Sequence, residues 1–402
     1  ECDARHLAYL FTEGVSRPEI SAPNRQRVFT SAVTASDYRD RGRPSSWSAA
    51  VDGLAADTAG AAESPRLFVL SAGNTRDPNA WVRYPESLST NLVHDPGQAW
   101  NAITVGACTD KVDTEGHASL NPVAEAGGLS PFTTTTRTWD RAWPLKPEVV
   151  LEGGNAAKDN LGAVGMPSLN LLTTHNQPLN RLFTTSNATS AASALCAGMA
   201  AQIMAAYPHL RPETVRALLV HSAQGSDSMR GMFLPADRMP NKGDYVHLIR
   251  HCGWGTPDLN RALWSAGDSL TLLVEDQVHP YAKVPVKGVV TRDMNLHSLP
   301  WPKDELEALQ DTPVEMRVTL SYFIEPNPSA RGAASKYHYP SHRLRFDVQR
   351  PLDASTDNFV ARVNAAAQRE DEGDPVNPSD PNWLLGEFQR HRGSLHQDVW
   401  KG

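Results

Sequence analysis

Three short apolar runs set the frame for this chain: Leu67–Ser71 (LFVLS), Ala102–Ala107 (AITVGA) and Glu148–Leu151 (EVVL). None of them alternates apolar with polar residues. A strand that is apolar on both faces needs cover on both faces, and that points to a parallel sheet between helices. Arg27–Val33 (RVFTSAV), rich in β-branched and aromatic residues, supplies a further strand. Helical segments fall between and after these runs. Ser45–Leu54 follows Pro44 and places Trp47, Ala50, Val51 and Leu54 on one face. Asn187–Ala206 is long, rich in Ala, Gly and Met, and stops at Tyr207-Pro208. Pro212–His221 opens with proline in its first turn and Glu213 beside it, which suits the positive end of a helix dipole. Strands alternating with helices from Arg27 to Ala266 imply an α/β fold, a parallel sheet flanked by helices.

Beyond Ser265 the texture changes. Leu270–Glu275, Val284–Val290, Val314–Tyr322 and Arg343–Val348 have strand character. Val314, Met316, Val318, Leu320 and Tyr322 alternate with polar residues, the two-residue period of a half-buried strand. The expected organisation is therefore an α/β domain over residues 1–266 and a β-rich, sandwich-like C-terminal domain over 267–402. Residues 366–383, polar and proline-rich, are expected to form a loop, as are 79–100 and 155–182. Trp47 is expected in the core and Trp301 between prolines at the domain junction. The segments 41–48 (RGRPSSWS) and 321–328 (SYFIEPNP) carry no assigned chemistry.

Net charge excludes some partners. The chain carries −7 with no dense Lys/Arg run, so no nucleic acid is expected. No apolar run reaches the roughly 18 residues that span a bilayer, so no membrane partner is expected either. The four cysteines, Cys2, Cys108, Cys196 and Cys252, are far apart and show no metal-ligand spacing. Cys108 and Cys196 sit among apolar neighbours and read as small buried hydrophobes. That usage fits a reducing compartment, and the expected location is the cytoplasm. The chain opens on Glu1 without a signal peptide and reads as part of a longer protein.

Two segments carry chemistry. In Thr184-Thr185-Ser186-Asn187-Ala188-Thr189-Ser190 a serine stands where a helix begins. There, unpaired N–H groups and the helix dipole favour an anionic transition state. The plain alternative is a helix-capping serine. In Leu70-Ser71-Ala72-Gly73-Asn74 an asparagine follows a glycine turn at the end of an apolar strand. Its amide can project over the crevice at the carboxyl edge of the sheet. Its plain alternative is an ordinary turn asparagine.

Together these segments resemble the subtilase (subtilisin-like) family of serine peptidases. TTSNATS at 184–190 matches the family's G-T-S-x-A-T-P, and VLSAGN at 69–74 its strand ending in an oxyanion-hole asparagine. AITVGA at 102–107, LSPFT at 129–133, KPEVVLEGG at 146–154, PETVRALLVHSA at 212–223 and CGWGTPDLNRAL at 252–263 follow in family order. The resemblance implies Ser186 as nucleophile and Asn74 as oxyanion donor. It also implies that Ser31, Ala32 and Val33, with Ser71, Ala72 and Gly73, clamp the substrate backbone. The activity implied is that of a serine endopeptidase acting through an acyl-enzyme on Ser186. It takes a peptide or protein substrate and uses no cofactor and no metal. The C-terminal domain would buttress the first or offer a surface to a partner protein.

The sequence departs from the pattern in places. Thr184 replaces the glycine and Ser190 the proline. The family's catalytic Asp and His belong to upstream D-[ST]-G and H-G-T motifs, and none of the fourteen histidines here is followed by glycine. His6 has the wrong context. Asp113-Thr-Glu-Gly-His117 follows the AITVGA strand, where the family has neither residue, and is expected to be a surface loop. The expectation is that Asp and His precede Glu1. The alternative is a degenerate subtilase that binds peptides without cutting them.

Overall fold

The computed structural model of the chain describes residues 6–36, 41–60, 63–117, 119–267, 270–285, 288–299, 302–327, 339–349, 353–372, 380–386 and 392–402. It begins with helix α1 (Leu7–Ser21), β1 (Val28–Ser31), α2 (Ser46–Ala55), β2 (Leu67–Ser71), the short helix α3 (Pro78–Val82) and β3 (Ile103–Thr109). Three short strands, β4 (Asn121–Pro122), β5 (Gly128–Leu129) and β6 (Val149–Glu152), follow. Then come β7 (Ala156–Lys158), β8 (Ala163–Gly165), β9 (Leu171–Thr174) and β10 (Phe183–Ser186). Five helices complete the first part: α4 (Ala188–Ala206), α5 (Pro212–Ser222), α6 (Asp227–Phe233), α7 (Lys242–Cys252) and α8 (Leu259–Gly267). The remainder holds β11 (Tyr281–Val284), β12 (Gly288–Thr291), α9 (Lys303–Ala308), β13 (Glu315–Ser321), α10 (Thr356–Glu372) and β14 (Leu395–Lys401).

The apolar runs form the expected parallel sheet. β1 pairs with β2, β2 with β3 and β3 with β6, all parallel, and β5 adds a short antiparallel edge to β3. Alternate residues of β2 face opposite layers. Leu67 and Val69 pack with Ala192, Cys196, Ala200 and Ile203 of α4 and with Val215 and Leu219 of α5. Phe68 and Leu70 pack with Trp47, Val51 and Ala55 of α2 and with Val15 of α1. Each of the Val, Leu, Ile and Phe side chains among these contributes about 1.5–3 kcal/mol on burial. Helix α4 is long and apolar enough to cross a membrane by length and composition, but its apolar face is the centre of this core. Small residues let it run against the sheet. The helix read as Ser45–Leu54 runs Ser46–Ala55, and Ser45 is its cap, accepting from the N–H groups of Trp47 and Ser48.

Several segments differ from their sequence reading. Residues 155–182 are not a plain loop but carry β7, β8 and β9, and β9 pairs antiparallel with β10. Leu270–Glu275 forms no strand, and Leu270 is exposed. Instead its last residue turns onto α5, where the Glu275 carboxylate accepts from Arg211 N–H (2.8 Å) and the Thr214 hydroxyl. Arg343–Val348 also forms no strand, and residues 366–372, read as loop, continue helix α10. Val284–Val290 is not one strand: Val284 ends β11, Gly288 begins β12, and the two pair antiparallel, with 286 and 287 outside the described residues. The strand expected over Val314–Tyr322 is β13, paired with β14 from the end of the chain. Cys108, Cys196 and Cys252 are buried free thiols, whereas Cys2 and Trp301 lie outside the described residues.

Strands β13 and β14 lie along α5. Arg216 of α5 is fully buried and donates to Trp100 O (2.9 Å), Tyr322 O (2.8 Å) and Ser394 O (2.7 Å), and to the Ser321 hydroxyl (3.0 Å). One guanidinium therefore joins α5, the turn before β3 and both C-terminal strands.

Candidate active site

Ser186 ends β10, opposite Leu171 of β9, and Asn187 is the N-cap of α4. The turn into the helix is tight. Ala188 has φ 64°, a left-handed conformation that costs a non-glycine residue about 1–2 kcal/mol. Its N–H donates to Gly153 O at 2.6 Å. A side chain on Gly153 would meet Ala188 O at 3.0 Å and Ala107 Cβ at 2.5 Å, so the approach needs glycine. The GG pair of KPEVVLEGG thus holds the turn behind the candidate nucleophile. Thr184, in place of the family's glycine, lies in the regular strand opposite Thr173 and needs no special backbone conformation.

Asn74 reaches the same helix start from β2. Its Oδ1 accepts from the Thr189 N–H at 3.0 Å and from the Thr189 hydroxyl at 2.6 Å. Thr189 is three residues beyond Ser186. With Oδ1 so engaged, the Nδ2 group is turned away from Thr189, and among the described residues it makes no hydrogen bond. A half-buried amide donor with a fixed orientation can stabilise a developing oxyanion. The Thr189 hydroxyl also meets Gly73 O (2.9 Å) and the Ser71 hydroxyl (2.6 Å), so one buried threonine knits the glycine turn to the helix.

The two expected clamp segments differ. Ala32 and Val33 are exposed past the end of β1, and the Val33 N–H meets only the Ser31 hydroxyl at 3.4 Å. Ser71 is paired with β3. Ala72 N–H donates to Val105 O (3.0 Å), and Ala72 O accepts from His94 N–H (2.8 Å). The second segment has its strand hydrogen bonds already made.

Sequence reasoning missed His94. Its ring packs under Gly73, where a Cβ would fall 2.2 Å from its Cγ, and its Nδ1 lies 3.2 Å from the Thr34 hydroxyl. It bridges the ends of β1 and β2. Burial, and then Arg76, hold it below the usual imidazole range. Nothing in Val93-His94-Asp95 marked it, because both contacts are distant in sequence. Asp113–His117 is an exposed turn, as expected, and His6 is exposed at the start of α1. No described histidine bonds the Ser186 hydroxyl. Lys146 and Glu148 of the KPE motif form a fully buried pair, and Glu148 also accepts the Thr104 N–H at 2.7 Å. Burial pushes the lysine down and the carboxyl up. This pair fixes β6 beside β3 and faces no cleft. Among the described residues no group of three His, Cys, Asp or Glu side chains converges to hold a metal ion.

The sequence model of the subtilase family matches residues 7–255. An uncharacterized protein of Sinorhizobium fredii is 31% identical over 375 residues, 86% of this chain and 78% of the relative. Among solved structures, a protease of Pseudoalteromonas arctica is 18% identical with a TM-score of 0.34, over 60% of this chain. The match takes in 51% of that structure, so the chain spans about half its length.

Proposed function

The chain belongs to the subtilase family, and on that premise we propose that it is a serine endopeptidase acting through an acyl-enzyme on Ser186. The observation that carries the reading is the fixed amide of Asn74, held by Thr189 at the start of the helix that Ser186 precedes. In this reading Ser186 Oγ attacks the scissile carbonyl and passes its proton to a histidine base. Asn74 Nδ2, with a backbone N–H at the helix start, receives the oxyanion. The base and its aspartate are not assigned to residues of this chain; the family resemblance places them in D-[ST]-G and H-G-T segments. A peptide pairs along Ser31–Val33, and Ser71–Gly73 form the facing wall. Residues 267–402 are read as a β-rich C-terminal domain that buttresses the first, and the cytoplasm as its location.

The test is labelling by a fluorophosphonate probe of the protein extended to include those segments, with Ser186→Ala as control. Stoichiometric labelling lost in the variant supports the reading, and no labelling overturns it. The second reading is a subtilase that binds peptides without cutting them. It is favoured by the Ser186 hydroxyl having no histidine partner among the described residues, and it expects peptide binding without labelling.

A further inference from the structure

The basic segment 41–43 plays no part in the cleft, yet the structure brings it to the cleft's flank. Gly42 sits on Trp139, where a Cβ would fall 2.6 Å from the indole, and beside Trp143. Arg41 and Arg43 flank this contact and are exposed. Arg137 and Arg141, on the loop that carries Trp139, are exposed as well. Arg392 precedes Gly393, whose Cβ position lies 3.1 Å from Pro144 on the same loop. Beneath the loop, buried Arg250 of α7 donates to Thr136 O (2.6 Å) and Trp139 O (3.2 Å). Its hydrogen bonds all go to carbonyls, and Asp140 is the carboxylate that acts on its charge.

Six arginines from four segments thus gather around one pair of tryptophans. Among the described residues none of the six forms an ion pair, and Asp140 is the single carboxylate on the 136–144 loop. Asp37 and Asp40 lie outside the described residues. Burial, and then Arg392, Arg137 and Arg141, push Arg250 down to about 10. A cluster of planar guanidiniums without an ion pair among the described residues, in a chain of net charge −7, is suited to carboxylates, which accept paired N–H donors. Its position says which carboxylates. Trp139 packs in one buried cluster with Ala72 of the expected clamp segment Ser71–Gly73, so the arginines lie beside the segment read as binding the substrate backbone.

We propose that this arginine rim is a docking site for an acidic, Asp/Glu-rich segment of a polypeptide substrate. The proposal rests on the peptidase reading for the occupant's being a substrate. The test is fluorescence anisotropy with a labelled Asp/Glu-rich peptide, a neutral peptide of equal length and a single-stranded oligonucleotide of equal charge. The acidic peptide should bind at least tenfold tighter than the neutral one, and more weakly as salt rises. Arg137→Glu with Arg141→Glu, and separately Arg41→Glu with Arg43→Glu, should each weaken binding about tenfold or more at unchanged melting temperature. Ser186→Ala should bind as the parent does. Equal binding of acidic and neutral peptides, unchanged binding by both charge-reversed variants, or tighter binding of the oligonucleotide would overturn the proposal. Binding requires no catalysis, so a site that binds in a protein the fluorophosphonate fails to label leaves the rim standing while the peptidase reading falls.

Discussion

The carboxamide oxygen of Asn74 is held by both the backbone N–H and the hydroxyl of Thr189, at 3.0 and 2.6 Å. The candidate oxyanion donor is thus oriented by a residue one helical turn from the candidate nucleophile. Asn74→Ala should lower kcat by about 10²–10³ with little change in KM, since the amide is needed only once charge develops. Thr189→Val keeps the shape and the N–H bond but drops the hydroxyl. It should cost about tenfold in kcat, between wild type and Asn74→Ala. Steady-state kinetics on a peptide substrate decide it; a rise in KM alone would make Asn74 a binding residue.

Ser186→Ala should abolish fluorophosphonate labelling while shifting the melting temperature by no more than about 2 °C. The hydroxyl makes no hydrogen bond among the described residues, so its removal strands no partner. Labelling of the variant within tenfold of the parent rate would remove Ser186 from the nucleophile's role.

Gly73→Ala should be severe. The residue has φ 98°, and its Cβ would strike the buried His94 ring at 2.2 Å. Overpacking and the left-handed backbone together cost about 2–5 kcal/mol. His94→Gly in the same chain should recover the steric part and not the backbone part. Chemical denaturation of the three variants measures the split; no recovery in the double variant would mean that His94 is not the obstacle.

Acid should destabilise the protein. Burial pushes His221 and His251 each down to about 4, from about 6.5 unfolded. The unfolded chain then binds more protons below pH 6.5, and stability falls as pH drops from there toward 4. Asp52, pushed up to about 6 by burial, acts the other way between about 6 and 4. From pH 7 to 5 the two histidines cost about 2 kcal/mol each and Asp52 returns about 1, a net loss of about 2–3 kcal/mol. His221→Gln should remove about half of the histidine contribution in melts across this range. A pH-independent melting temperature would contradict the assignment.

The parallel sheet was legible because LFVLS, AITVGA and EVVL are apolar on both faces, a pattern few other architectures accept. Helix α2 was legible from Pro44 and the apolar face of Trp47, Ala50, Val51 and Leu54, and α4 from its run of small residues ending at Tyr207-Pro208. Asn74 and Ser186 were singled out by the resemblance of seven segments in family order, because each segment alone reads equally as a turn asparagine or a capping serine. The rest depends on partners distant in sequence. His94 gains its place from Gly73 and Thr34. Leu270–Glu275 has strand composition but no neighbouring strand to pair with. Helix α10 is mostly polar and runs into proline-rich sequence. Arg216 reads locally as one exposed charge on an amphipathic helix, and only the C-terminal strands bury it.

That burial yields the last prediction. Arg216 is fully buried and makes bonds to Trp100 O, Tyr322 O, Ser394 O and the Ser321 hydroxyl, and its guanidinium lies 4.9 Å from the Phe323 ring centroid. Arg216→Ala leaves several buried acceptors without a donor and a cavity between α5 and β13, and should cost about 3–5 kcal/mol. Arg216→Lys keeps the charge but cannot reach four acceptors on separate segments, so it should recover less than half of that. Because one side chain holds both C-terminal strands to α5, loss should show first as faster amide exchange across 315–322 and 394–401. Strands β2 and β3 should stay protected longer. Hydrogen exchange followed by peptide mapping makes the comparison. If β2 and β3 lose protection together with β13 and β14, the C-terminal strands unfold as one unit with the parallel sheet, and Arg216 is a core residue of that unit and not its local fastening.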